Sequence, residues 1–200
     1  MFEPFITTLR NRETNIQEFR NAAHSIANIL AAQAVDHLTL KTLSLQTPYA
    51  TTEGKILSSS LVFLPILRSG IAFLQAFTAL FPNASIGFIG LKRDESTGHA
   101  HMYYKNFPPL HDNSFIIILD PTIATGGTAL QAIAAVTEAG ISQKRILFVS
   151  MIAARTGIES IHRTYPDITI LCAAVDPELD KHFRIIPGLG DFGDRYFGTL

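Results

Sequence analysis

The chain has 200 residues, of which 47% are hydrophobic and 16% charged, and its net charge is −1 at pH 7. That is one domain, or one domain with a small appendage, with enough apolar side chain to bury a core. The balanced charge leaves no electrostatic footprint for nucleic acid or an anionic membrane, no apolar run is long enough to span a bilayer, and the single Cys172 excludes an internal disulfide.

The N-terminus lacks a basic region followed by an apolar one, so no secretory signal is expected and the chain reads as cytoplasmic. Residues 1–12 read as an arm. Residues 14–35 read as a helix, with Ile16, Phe19, Ala23, Ile26 and Leu30 at helical spacing and Thr14 as its cap. This helix carries more apolar positions than one packing face needs, which predicts a homodimer or larger assembly. Residues 38–48 read as irregular or a short edge strand. Leu61 to Ile66 is a buried strand, followed by a helical stripe of Ile71, Leu74, Phe77, Thr78 and Phe81 that Pro82 closes. Ser85 to Gly90 is the next strand. Residues 91–114, with Tyr103 and Tyr104, show no helical pattern, and a loop of that length in a compact domain is functional or mobile. Strands follow at 115–119, 146–151 and 168–175, separated by helices at 127–139 and 156–164; Cys172 in the last strand reads as an inert buried thiol. Alternating strands and helices predict an α/β domain with a mainly parallel sheet of about five strands flanked by helices.

The stretch from Ser114 to Gly140 organises the chain. Phe115 to Leu119 is an unbroken apolar run, the pattern of a strand buried on both faces, and it ends in Asp120. Pro121, Thr122, Ile123, Ala124, Thr125, Gly126, Gly127 and Thr128 then lead into a helix. A loop rich in glycine and hydroxyls at a helix N-terminus suits phosphate, because backbone N–H groups point outward and the helix dipole favours an anion. A carboxylate at the mouth of that site suits sugar hydroxyls or hydrated Mg²⁺. The bland alternative is an ordinary strand-to-helix turn, and no Gly-Lys-Ser/Thr follows that would make a Walker loop.

Arg68-Ser69-Gly70 also stands between a strand and a helix, and an arginine fork there suits pyrophosphate; the alternative is a solvated turn. Arg93, with Asp94 and Glu95, reads on its own as a surface charge cluster. Gly188 to Gly193 spells Gly-x-Gly-x-x-Gly, but it follows Pro187 and leaves no room for the helix and second strand of a dinucleotide fold. Its glycines allow a tight loop whose backbone reads a flat ligand edge, or are simply a glycine-rich tail. The seven histidines are scattered, and His99 and His101 lack a third ligand spaced to complete a metal set.

Asp120 to Thr128 resembles the loop of type I phosphoribosyltransferases that binds phosphoribosyl pyrophosphate (PRPP), and its Asp-Pro opening resembles the uracil phosphoribosyltransferase branch. Pro65 to Gly70, Ile89 to Glu95 and Pro187 to Thr199 have counterparts in the same order, with weaker matches at Thr14, Phe19 and Arg20, so the resemblance covers most of the chain. It implies transfer of the ribosyl phosphate of PRPP to uracil, giving UMP and pyrophosphate, with Mg²⁺ held mainly through PRPP. It implies Arg68 and Arg93 on the pyrophosphate, Asp120 and residues 121–128 on the ribose 5-phosphate, and Ile185, Gly190, Asp191 and Phe192 around the base, with Asp191 also touching the donor. It further implies a homo-oligomer and a nucleotide effector such as GTP. Residues 1–200 would form one domain: 1–60 supplying the arm, the first helix and part of a hood, 61–175 the core, and 176–200 the base-binding part of the hood. Rival readings are the same chemistry on another base, or a non-catalytic PRPP or nucleotide sensor. Three segments depart from the family pattern: Lys92 stands for Tyr, Arg155-Thr156-Gly157 for Pro-Glu-Gly, and Phe192 for Ala. The Phe192 ring is expected to turn outward, because an overpacked base pocket would cost more than stacking gains.

Overall fold

The computed structural model describes residues 1–93 and 100–199. In chain order the elements are α1 (Glu3–Arg10), α2 (Ile16–Ala34), β1 (Leu40–Gln46), β2 (Thr51–Leu57), β3 (Leu61–Leu67), a 3-10 turn (Ser69–Phe73) running into α3 (Leu74–Leu80), β4 (Ser85–Ile86), β5 (Phe88–Arg93), β6 (Ala100–Asn106), β7 (Phe115–Leu119), β8 (Thr122–Ile123), α4 (Gly127–Glu138), β9 (Ile146–Ala154), α5 (Arg155–Thr164), β10 (Thr169–Asp176), β11 (Glu178–Leu179), β12 (Ile185–Ile186) and α6 (Phe192–Phe197). The main sheet has the order β10-β9-β7-β3-β5-β6, with the two-residue strands β4 and β8 beside β3 and β9. β10, β9, β7, β3 and β5 run parallel and β6 is antiparallel to β5. The expected five parallel strands are therefore present, widened by edge pieces.

The unbroken apolar runs follow from covering both faces. Phe63, Ile117, Val149 and Met151 point into a cluster with α1, α2 and α3, whereas Leu64, Ile116, Ile118 and Phe148 point into a second cluster with α4 and α5. Alternate side chains thus face different layers, and none faces water. Each fully buried Phe, Leu or Ile contributes roughly 1.5–3 kcal/mol relative to exposure.

Several expectations are corrected. Residues 1–12 are no free arm: α1 buries Ile6 and Leu9 in the core. Asn15, not Thr14, caps α2, in a capping box with Glu18, while the Thr14 hydroxyl donates to the Thr8 carbonyl at 2.7 Å. The apolar positions of α2 need no second copy, because Phe19, Ala22, Ala23, Ile26, Ala27, Leu30, Ala31 and Ala34 are all buried within this chain. Residues 40–57 form an antiparallel hairpin, β1–β2, that pairs with no other strand among the described residues. Residues 91–114 are in part a second hairpin, β5–β6, with a bulge between Gly90 and Leu91. β1, β2 and β6 were hard to read because their residues are largely exposed, so no burial pattern marks them. Among the described residues no helix is long and apolar enough to cross a membrane.

Candidate functional site

Strand order places the site. From β3 the chain crosses to β5 on one side and then returns to β7 on the other. The order therefore reverses between β3 and β7, and loops leaving the carboxyl ends of two such strands splay apart to leave a crevice. The Arg68 loop leaves β3 and the Asp120 loop leaves β7, so two motifs about fifty residues apart in sequence face one another by topology. They approach so closely that a Cβ on Gly70 would collide with the Leu119 carbonyl and lie 3.0 Å from the Pro65 Cα. Only glycine fits there.

The crevice has two lobes, of about 690 Å³ and 630 Å³, which share Ser69, Thr122, Ala124, Asp191 and Gly193. Arg68, Lys92, Asp120 and Thr128 line one lobe, with Tyr103 and Asp194. Ile185, Gly190 and Phe192 line the other, with Asp180, Phe183 and Arg184 at its rim. The expected phosphate residues and the expected base residues thus meet at Asp191.

The loop after β7 is held from behind. Asp120 N–H donates to Val149 O at 3.1 Å, and the Met151 and Ile152 amides both donate to Pro121 O at 3.0 Å. β8 pairs with β9, which alternates the side chains: Ile123 is buried in the core while Thr122 and Ala124 face the crevice. Pro121 is buried as well. These two members of the expected binding loop have only backbone to offer a ligand. The Gly127 amide donates to the Thr125 hydroxyl at 3.4 Å. Gly126 is left-handed, with φ +85°, at the N-cap of α4, whose first-turn amides have no intrahelical acceptor.

The Arg155-Thr156-Gly157 departure now has a physical account. Gly157, the residue retained from the family pattern, lies in the first turn of α5, where a Cβ would collide with the Ala124 carbonyl and stand 2.9 Å from the Ile123 side chain. It backs the loop after β7. Arg155 and Thr156 are exposed, so their replacement costs this packing nothing.

Arg68 is exposed, with its guanidinium 5.4 Å from the centre of the Phe197 ring. Lys92 is exposed on the same lobe. Arg93 ends β5, but its side chain lies outside the described residues, as do Asp94, Glu95 and His99. Asp191 caps α6: its Oδ1 accepts from the Asp194 amide at 2.9 Å. Cys172 is partly buried, its thiol donating to Ala174 O at 2.9 Å. Burial pushes that thiol up to about 12, which keeps it protonated and unreactive.

The expected outward Phe192 ring is a correction. Phe192 is 3% exposed and stacks on Tyr196 at 5.4 Å, with Phe19 of α2 on it at 5.4 Å. Placing residue 192 on the inner face of α6 turns the ring away from solvent and into the core, a third option beside filling the pocket or leaving it. Phe192→Ala should therefore destabilise by about 3–5 kcal/mol and lower Tm by roughly 10 °C in a chain of this size. A melting curve matching the native protein's would refute the packing account.

Sequence reading missed one ion pair. Arg10 Nη1 and Nη2 donate to Asp176 Oδ2 and Oδ1 at 2.8 and 2.6 Å, across 166 residues of sequence. Burial alone would push the Asp176 carboxyl up, but hydrogen bonds from Arg10 and the Gly188 amide, with the Arg10 charge, hold it below its ordinary value. The pair therefore stabilises the fold above the unfolded-state carboxylate value, and that stabilisation is lost as pH falls through the lowered folded-state value. No local signal could have found it, because neither residue lies in a motif.

Comparison with known proteins agrees with this geometry. The family model for uracil phosphoribosyltransferase matches residues 2–199. A uracil phosphoribosyltransferase of Fervidobacterium nodosum is 41% identical over 195 residues, 97% of this chain and 93% of that one. One of Campylobacter curvus is 37% identical over 200 residues, 100% of this chain and 95% of that one. The solved structure of the AQ2163 protein from Aquifex aeolicus superposes with a TM-score of 0.90 at 32% identity, covering 99% of this chain and 94% of the other. A hypoxanthine phosphoribosyltransferase from Trypanosoma cruzi shares the fold at a TM-score of 0.51 and 15% identity, over 80% of this chain and 75% of that one. With the fold, the two-lobed crevice and the match along nearly its whole length in agreement, the chain belongs to the uracil phosphoribosyltransferase family.

Proposed function

We propose that the crevice transfers the 5-phosphoribosyl group of PRPP to uracil, giving UMP and pyrophosphate as a step of pyrimidine salvage. The observation that supports this reading is the meeting of the two lobes at Asp191, with Arg68, Lys92 and Thr128 on one side and Ile185 and Gly190 on the other. In this reading Thr125 to Thr128 hold the 5′-phosphate through backbone amides and hydroxyls, and Asp120 orients the ribose. Arg68 and Arg93 hold the pyrophosphate, and Ile185 with Gly190 to Phe192 reads the uracil edge through backbone groups. Charge builds up on the departing pyrophosphate as an oxocarbenium-like ribose forms, so catalysis is mostly positioning and electrostatic stabilisation.

Mg²⁺ fits the donor chemistry of the site. Asp120, Asp191 and Asp194 line the phosphate lobe, and Mg²⁺ is typically held by one or two carboxylates, water and substrate phosphates. Bound with PRPP, it would offset the charge gathering on pyrophosphate.

A cytoplasmic homodimer or larger assembly belongs to the same reading. Leu43, Leu45 and Ile56 are exposed on one face of the β1–β2 hairpin, an isolated two-stranded element that is marginal alone, and Leu40 and Leu57 on the other. Such exposed apolar side chains favour burial against a second copy. Light scattering at micromolar concentration should give at least twice the 21.9 kDa chain mass; a monomer would refute it. A nucleotide effector such as GTP remains part of the family-based proposal, with no residue assigned to it.

The test of the reaction is incubation with PRPP, Mg²⁺ and single nucleobases, following pyrophosphate release. Uracil alone should support turnover. Release with another base would reassign the base lobe, and PRPP binding without turnover on any base would favour the sensor reading.

A further inference from the structure

The Arg10–Asp176 pair is too well placed to be only a fold contact. Asp176 ends β10 and is 3% exposed. Its Oδ2 accepts from the Gly188 amide at 2.8 Å, while Arg10 Nη1 donates to the Gly188 carbonyl at 2.9 Å. One ion pair thus holds both backbone polar groups of Gly188. The next residue is held too: Arg195 Nη1 donates to Leu189 O at 2.7 Å. The same guanidinium also donates to Leu9 O and, through Nη2, to Asn11 O at 2.6 Å, and it lies 4.4 Å from the centre of the Phe19 ring. Leu9 and Asn11 flank Arg10. The end of α1 and the middle of the C-terminal loop are therefore tied together by two arginines.

Gly188 lies between Pro187 and Leu189, which line the base lobe together with Ile185 and Gly190. A loop that reads a flat base through its backbone must hold those backbone groups to a fraction of an ångström, and the support for that lies behind it. We infer that Arg10 and Asp176 are positioning residues for the nucleobase: they touch no ligand, but through Gly188 they fix residues 185–190 in the conformation that reads it. The inference rests on the proposed uracil reading. It also predicts a separation of effects. Most phosphate-lobe residues sit on β5–β6 and on the loops after β3 and β7, which this pair does not touch, and Asp191 is held separately as the cap of α6, so PRPP binding should be far less affected than uracil binding. Because the base is held alike in ground and transition states, its loss should appear in KM rather than kcat.

The experiment uses the full chain with Arg10→Lys, Arg10→Ala and Asp176→Asn, each assayed at a temperature where circular dichroism shows it folded. Lysine keeps the charge and loses the two-pronged fork. We expect uracil KM to rise about tenfold or more, kcat to change less than about threefold, and PRPP affinity by calorimetry to stay within about twofold of the native value. Added guanidinium should restore uracil KM in Arg10→Ala and not in Asp176→Asn. A merely structural pair would lower Tm and leave uracil KM native in the folded protein. That result, or equal losses for PRPP and uracil, overturns the inference. Should Arg10→Ala and Asp176→Asn fail to fold, the milder Arg10→Lys decides by the same two constants. A native protein that makes UMP while Arg10→Lys keeps its uracil KM refutes only the positioning role. A native protein inert toward uracil overturns both the role and the functional reading beneath it.

Discussion

Gly126→Val is expected to abolish PRPP binding while the chain stays folded. Position 126 has φ +85°, where a β-branched residue is strained, and a Cβ there would stand 2.9 Å from the Gly157 carbonyl oxygen and 3.4 Å from the Ile161 side chain. Backbone strain of this kind costs about 1–3 kcal/mol. Domains are stable by about 5–15 kcal/mol, so the fold should survive. The loop cannot keep its shape, because the collision is with backbone of α5 rather than with a side chain that can swing aside. A shift of under an ångström is enough to misalign the amides ahead of α4. PRPP affinity by calorimetry should fall at least a hundredfold, about 2.7 kcal/mol. An unchanged affinity would show that this loop does not hold the 5′-phosphate.

Arg68→Ala should lower kcat/KM by roughly 10²–10³-fold, the scale of removing one charged group aimed at developing negative charge. Stability is a separate readout. The guanidinium lies over Phe197, but that contact is exposed and worth only about 0.5–1 kcal/mol, so Tm should move by a few degrees at most. Near-native turnover would make Arg68 a surface turn residue. A collapse of Tm in parallel with turnover would instead make its role structural.

The sequence by itself determined the layers and the loops. Strands at 61–66, 115–119 and 146–151 were legible because both of their faces are covered, which writes an unbroken apolar run. The loop from Asp120 to Thr128 was legible because its glycines, hydroxyls and helix start form a local pattern. The resemblance then tied that loop to Arg68, Arg93 and residues 185–192. Exposed elements were not legible. The β1–β2 hairpin and β6 bury little, so their residue choice carries no periodic mark, and α1 is too short for its two buried positions, Ile6 and Leu9, to stand out.

Only the tertiary structure decided which distant residues meet. Strand order, which brings the Arg68 and Asp120 loops across one crevice, depends on how the sheet is wound and not on any local composition. The direction of the Phe192 ring was set by Phe19, some 170 residues earlier. The Arg10–Asp176 pair behind the base loop had no motif to announce it, and the need for glycine at 157 came from the carbonyl of Ala124 on another element. Local preferences act over a few residues along the chain. Packing and ion pairing act between neighbours in space, and those neighbours exist only once the chain has folded.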